Sequence, residues 1–440
     1  MPLEAQNLNR DGRLVSNCRV EAVPSASELE CGGARWLNAS TDDVLGLASD
    51  PRVRETFQAA LRKMGLGRPA DSHLLVDLEQ RLSSLLGRPA AVVSDAASAL
   101  RALPTWRFAV DARSSDLAED ATRVADPGEA DVVLRQGAAL GVLVEALHPR
   151  EGDLAPLPRY LEVCERSHGT LVTVDPLGLG ALGPTGAGVG QHLAAQPPTG
   201  LSIISLGAAI PGVGAVLAGD EGLVMALKGQ LAAPLAAPLA AASKALEVLS
   251  GEPQRRSRMF DVAQRLLDGL RERSLDTGPS VTPWVPVWVG DPVVCQRWLE
   301  ALAEASIAVR ASLAPGASRL LLSLSATTTD SQVSQLLDVL DKTGKKLGVP
   351  LPSSLPLSTT RVEVARPGSY ATAAPCAQRW LALRPSEPEP TDESAVPLTG
   401  LRSRVFDAVE TLTWRASNAS GTSIRWTADA VRGFFDRRRK

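Results

Sequence analysis

Short, almost wholly apolar runs recur through the first half of the chain, and they restrict the fold more than any other feature. AAVV follows Gly87-Arg88-Pro89; then come RFAVDA, ADVVL, LGVLVEAL, TLVTVD and GLSIISLG, with helical or loop stretches such as LPRYLEVCERSHG between them. A strand with one face in water alternates apolar and polar residues, whereas a strand covered on both faces need not. Runs of this kind predict a mostly parallel, buried sheet, with right-handed crossovers placing helices on both faces. The expected fold class is α/β: a large domain with such a sheet, plus a smaller α+β C-terminal domain.

Helical periodicity precedes the first run, through Val53, Phe57 and Leu61 and then Leu74, Leu78, Leu82 and Leu85. It returns from Pro234 to Leu270. VTPWVPVWVG and RLLLSLSA then read as strands, VVCQRWLEALAEASI and DSQVSQLLDVLDKTGKKLG as helices, the last with Asp330 as its cap. This gives an N-terminal arm at 1–50, a large domain at 51–250, a small α+β domain at 270–348, and Pro/Ser-rich linkers with an amphipathic tail at 349–440. In the tail, Leu401, Val405, Val409 and Leu412, then Ile424, Ala428, Val431 and Phe435, keep helical spacing. Trp414, Trp426, Phe434 and Phe435 beside Arg437-Arg438-Arg439-Lys440 suit peripheral membrane contact. Asp407, Glu410, Asp429 and Asp436 oppose anionic lipid and suit a helix docked on protein instead.

Composition excludes several classes. A chain of 440 residues with 44% hydrophobic side chains can bury a large core, and a net charge of −3 with no basic stripe argues against a nucleic-acid partner. Cys18, Cys31, Cys164, Cys295 and Cys376 form no CxxC pair or metal spacing, so a reduced, intracellular chain without a metal site is expected. The start lacks a signal-peptide layout. The most apolar stretch, Leu231 to Leu249, is broken by Pro234, Pro238 and Lys244 and reads as a buried helix after a turn. His73, His148, His168 and His192 share no catalytic spacing and read as surface or turn residues; Cys164 reads as a packed thiol.

Five stretches, in order, resemble the α-oxoamine synthases, fold-type-I pyridoxal-phosphate (PLP) enzymes that condense an amino acid with an acyl-CoA. DDVLGLASDPRV with Gly65 and Gly67, and DLEQRLSSLLG, lie over N-Y-L-G-L-A-x-H-P-x-V, G-x-G and H-x-x-L-E-x-x-L. VLVEALHPREGDLAPL and VDPLGLGALG lie over a strand ending in Glu, M-D-G-D-x-A-P-L and V-D-E-A-H-S-x-G-x-x-G. SLGAAIPGVGAVLAG lies over T-L-G-K-A-F-G-x-x-G-G-x-x-A-G without a gap, and PGASRLLLSLSA over the closing P-x-G-x-x-R-L-R-I-x-L-S-A. The resemblance spans about residues 40–348 and implies the fold-type-I architecture.

Carried onto this chain residue by residue, it implies a loss of chemistry. The Schiff-base lysine position is Ala208, and the cofactor-stacking His falls near Ser115. D-E-A-H becomes Asp175-Pro176-Leu177-Gly178, keeping only the pyridinium-binding Asp175, which is either a vestigial cofactor ligand or, the favoured reading, a strand-end carboxylate capping a turn. The substrate-carboxylate R-L-R survives as Arg319-Leu320-Leu321. No lysine occurs between Lys63 and Lys228, and Lys244 falls inside the Ala-rich helix, past the cofactor landmarks. The chain is thus similar to the lysine-free long-chain-base subunit of serine palmitoyltransferase. That resemblance implies a heterodimer with a lysine-bearing catalytic partner that carries PLP, none being bound by this chain alone. It also implies sphingoid-base synthesis, at the cytosolic face of the endoplasmic reticulum or otherwise in the cytoplasm. The alternative is a homodimeric pseudoenzyme scaffold with a binding or regulatory role.

Overall fold

The computed structural model describes residues 13–15, 19–67, 72–117, 121–195, 200–314 and 316–349; the linker and tail expectations beyond Val349 lie outside the described residues. Strand β1 (Arg13–Val15) is followed by an antiparallel meander of β2 (Val20–Ser25), β3 (Glu28–Cys31) and β4 (Ala34–Asn38). Helices α1 (Pro51–Met64) and α2 (Ser72–Leu86) lead into β5 (Ala90–Val93), α3 (Ala96–Arg101), β6 (Phe108–Asp111) and β7 (Thr122–Val124). Next come α4 (Pro127–Arg135), β8 (Gly141–Glu145), the short hairpin β9 (Leu147–His148) and β10 (Asp153–Leu154), α5 (Leu157–Arg166) and β11 (Thr170–Asp175). The single turn α6 (Val189–His192) precedes β12 (Leu201–Leu206), β13 (Gly214–Gly219), α7 (Glu221–Lys228), α8 (Ala236–Gly251) and α9 (Gln254–Glu272). The chain then forms β14 (Trp284–Gly290), α10 (Pro292–Glu304), β15 (Ile307–Ala308), β16 (Arg310–Ser312), β17 (Ser318–Ser323) and α11 (Asp330–Leu347).

The large sheet has the order β5-β13-β12-β11-β8-β6-β7, and β13 alone among its strands runs antiparallel to its neighbours. Successive residues point to opposite faces. Val92, Ala109, Val142, Val144 and Leu171 join one buried cluster, while Val93, Val110, Leu143, Val172 and Ile203 join the other. Both faces are dry, which is why these runs show no polar alternation. The sheet reading from sequence therefore holds, with one strand misread. ADVVL belongs to α4, because Asp126 caps the helix through the Gly128 and Glu129 N–H groups and Pro127 opens it. Ala130 and Leu134 are its buried face and Val132 is exposed. Asp330 likewise is not the cap of α11: Thr329 is, in a reciprocal capping box with Gln332.

The smaller sheet, β1-β16-β17-β14, is fully antiparallel and carries α10, against which α11 packs. It is stitched to the large domain at Gly152, whose carbonyl accepts from Val281 N–H (2.9 Å) and the Thr282 hydroxyl (2.9 Å). At φ +66° a side chain here would be strained, and a Cβ would lie 1.9 Å from the Trp284 carbonyl, so only glycine fits. Beside it, buried Arg319 donates to Glu151 (2.9 Å) and stacks 3.8 Å over the Trp288 ring. Cys31 is disulfide-bonded, which corrects the expectation of a wholly reduced chain, whereas Cys164 and Cys295 are buried free thiols. Among the described residues no helix is long and apolar enough to cross a membrane.

Candidate functional site at the carboxyl edge of the sheet

Because β13 is antiparallel to both neighbours, β5, β12, β11, β8 and β6 all end on the same edge. Open α/β sheets place ligands outside this edge. Five chain positions converge there: Ser94-Asp95 after β5, Asp111 to Leu117 after β6, Glu145 at the end of β8, Asp175 closing β11, and Gly207-Ala208 after β12.

Ala208 sits in a tight turn whose Gly207 N–H donates to the Ile210 carbonyl at 2.9 Å. It is buried together with Ala209 and Ile210, so a methyl group and apolar neighbours stand at this point. Ser115 lies in the 3-10 turn Ala112–Leu117. Lys244 is elsewhere, on α8, where its ammonium donates to both Glu247 oxygens at 2.9 Å, and Lys228 donates to Glu79 at 2.7 Å.

Asp175 is fully buried, and its carboxylate is taken up by the backbone. One oxygen accepts from the N–H of Leu177 (3.3 Å) and Gly178 (2.6 Å), the other from Val189 N–H (2.9 Å). The Gly-rich segment 178–188 folds back over it so closely that a Cβ at Gly178 or Gly188 would come within 2.6 Å of the second oxygen. Burial pushes its pKa up despite those three donors. At the start of α3, Asp95 accepts the Ser98 N–H (2.6 Å) and the Ser94 hydroxyl (3.0 Å), so a carboxylate occupies a helix end that would otherwise receive an anion.

Sequence reasoning missed a second feature of this edge, a buried polar cluster behind the 112–117 turn. Asp111 accepts from the Tyr160 hydroxyl (2.5 Å) and the Arg113 N–H (2.9 Å). The Arg113 guanidinium, itself buried, donates to one Asp153 oxygen (2.5 Å), and His148 Nδ1 donates to the other (2.9 Å). Ser114 Oγ accepts the Glu145 N–H at 2.8 Å. His148 is thus a core residue, not a surface one, and so is His192, whose ring nitrogens have no partner among the described residues. His73 and His168 are exposed, His168 in a turn at φ +52°, as expected. Cys164 is buried and its thiol pushed up to about 12 by burial, an inert packed sulfur. The signal for the missed cluster was a His and an Asp five residues apart, each beside a leucine, in the short stretch Leu147 to Leu154.

No family model matches the chain. Curated relatives do: it is 32% identical over 349 residues to the 8-amino-7-oxononanoate synthase of Anaeromyxobacter sp. (strain K), covering 71% of this chain and 87% of that one. The Cellvibrio japonicus synthase of the same name is 31% identical over 355 residues, covering 72% and 89%. This chain belongs to the α-oxoamine synthase family. Solved structures agree in fold. Sphingomonas wittichii serine palmitoyltransferase superposes with a TM-score of 0.68 at 21% identity, covering 76% of this chain and 93% of that one. Francisella tularensis 8-amino-7-oxononanoate synthase gives 0.61 at 18%, covering 71% and 98%. The fold-type-I architecture is therefore that of this α-oxoamine synthase family member as well.

The family's cofactor is PLP, which needs an amine to hold it, a carboxylate facing its ring nitrogen and donors for its phosphate. The described residues do not fit that group. At the position that the resemblance gives the amine stands buried Ala208, both Asp175 oxygens are engaged by backbone N–H groups, and the α3 N-terminus carries the Asp95 carboxylate.

Proposed function

We propose that this chain is a non-catalytic subunit of the α-oxoamine synthase class, which binds no PLP itself and stabilises a lysine-bearing family member. The observation that carries this reading is the burial of Ala208 among apolar neighbours, at the position that the resemblance gives the amine. The engaged Asp175 and the anionic α3 terminus support it independently.

In the first version, the partner carries PLP and condenses serine with palmitoyl-CoA to a sphingoid base. The likeness of the fold to serine palmitoyltransferase structures supports it. In the second, the partner is an 8-amino-7-oxononanoate synthase, which the 32% identity to such synthases favours. Co-expression with the lysine-bearing family members of the same genome separates the two. The expected result is a stoichiometric complex whose condensation activity, with serine and palmitoyl-CoA or with the alternative substrates, exceeds that of the partner alone. A chain that purifies as a self-sufficient homodimer, ignores every such partner and leaves their activity unchanged sinks the subunit reading. What then stands is the pseudoenzyme scaffold.

A further inference from the structure

The cluster behind the 112–117 turn has no part in the reading above, yet it concentrates more buried charge than any other point of the carboxyl edge. Asp153 is wholly inaccessible and is held from two sides, by Arg113 and by His148. A carboxylate only accepts, so the His148 Nδ1 must carry a proton, and the ring's charge is decided at Nε2, which is buried with no partner among the described residues. The groups that face the ring are Arg113 from the turn, Asp153 from β10 and Glu145 from the end of β8. Asp111 and Glu151 face Arg113 in turn, the Tyr160 hydroxyl is bonded to Asp111, and Arg319 holds Glu151 from the small domain. Acids outnumber permanent cations in this set, so a proton on His148 offsets an excess of buried negative charge.

We propose that His148, Asp153 and Arg113 form a pH-sensitive clamp between the 112–117 turn and the β9–β10 hairpin, tight when His148 is doubly protonated and loosened when it is neutral. These groups and the Ser114 contact to β8 hold the turn, so loosening acts on the segment that carries Ser115. Burial and the Arg113 charge oppose protonation, but Asp153 and Glu145 outweigh them and hold the His148 pKa above its ordinary value. With a raised folded pKa, the stabilisation is complete below the unfolded value of about 6.5 and is lost as pH rises through the folded one.

Hydrogen exchange on the full chain, corrected for intrinsic pH dependence, tests the clamp at mildly acidic and mildly alkaline pH. Peptides covering 112–117 and 147–154 should lose protection several-fold at the higher pH while those of α8 do not change, and His148→Gln should abolish the difference. Equal protection at both pH values, or the same difference retained in the variant, overturns the proposal. Should the variant not fold, proton NMR of the wild-type histidines decides: one ring must titrate above the ordinary range, and if none does the clamp is wrong.

Discussion

Two sets of polar residues in this molecule obey different constraints. At the carboxyl edge, Ala208 stands at the position that the family resemblance gives the cofactor amine. Deeper in the scaffold, buried charges keep their partners. Glu79 accepts the Val92 N–H (2.9 Å) and the Lys228 ammonium (2.7 Å), tying α2 to β5 and α7. Asp50 caps α1 while holding Arg52 (2.8 Å) and Arg255 (2.7 Å). The difference lies in what is orphaned by a change. Removing a lysine whose partner is a cofactor leaves no protein group unsatisfied, whereas removing one member of a buried pair strands the other. A chain can therefore shed the first kind of residue without unfolding, but not the second.

The largest effect should come from the scaffold side of that contrast. Glu79→Ala strands both a β5 N–H and a lysine and should cost about 3 kcal/mol in denaturant unfolding; a loss within 0.5 kcal/mol or so would mean these pairs hold nothing. Asp175 tests the boundary between the two sets. If it serves the loop rather than a cofactor, Asp175→Ala frees three backbone donors and should cost about 2 to 3 kcal/mol while PLP titration of the protein stays featureless.

His192 offers a further test in the pH dependence. Burial lowers its pKa to about 4, so the unfolded chain binds a proton more readily, and stability falls as pH drops from about 6.5 toward that value. His192→Leu should remove about 2 kcal/mol of the stability difference between pH 7 and pH 5, read from urea midpoints at the two values. The opposite slope expected of His148 makes the pair a built-in internal control. The smallest expected change is spectroscopic. Ala208→Lys alone should give no visible aldimine absorbance with added PLP, because Asp175 and Asp95 still stand against the cofactor. A clear band would show that a single residue separates this chain from its cofactor.

The sheet was legible in the sequence because a strand buried on both faces declares itself locally, and the gap without lysine from Lys63 to Lys228 is a fact of the sequence itself. ADVVL was misread because apolar run length alone does not separate a short strand from one face of a helix; Asp126-Pro127 was the overriding signal. The place of Asp175 could be read, but its role depends on Val189 returning to it after an excursion of 14 residues. The His148 cluster was out of reach for the same reason on a larger scale. Its contacts join Arg113 to Asp153 and Tyr160 to Asp111, 40 and 49 residues apart, and only the folded hairpin brings them together.

The junction at Gly152 carries a consequence for how the molecule comes apart. One carbonyl receives two donors from the segment before β14, and the neighbouring Glu151 is held by an arginine lying on an indole. Neither lobe can loosen there without baring the other's wet-intolerant groups. Scanning calorimetry should therefore record a single endotherm for both lobes, and a protease nick between α9 and β14 should release no folded fragment.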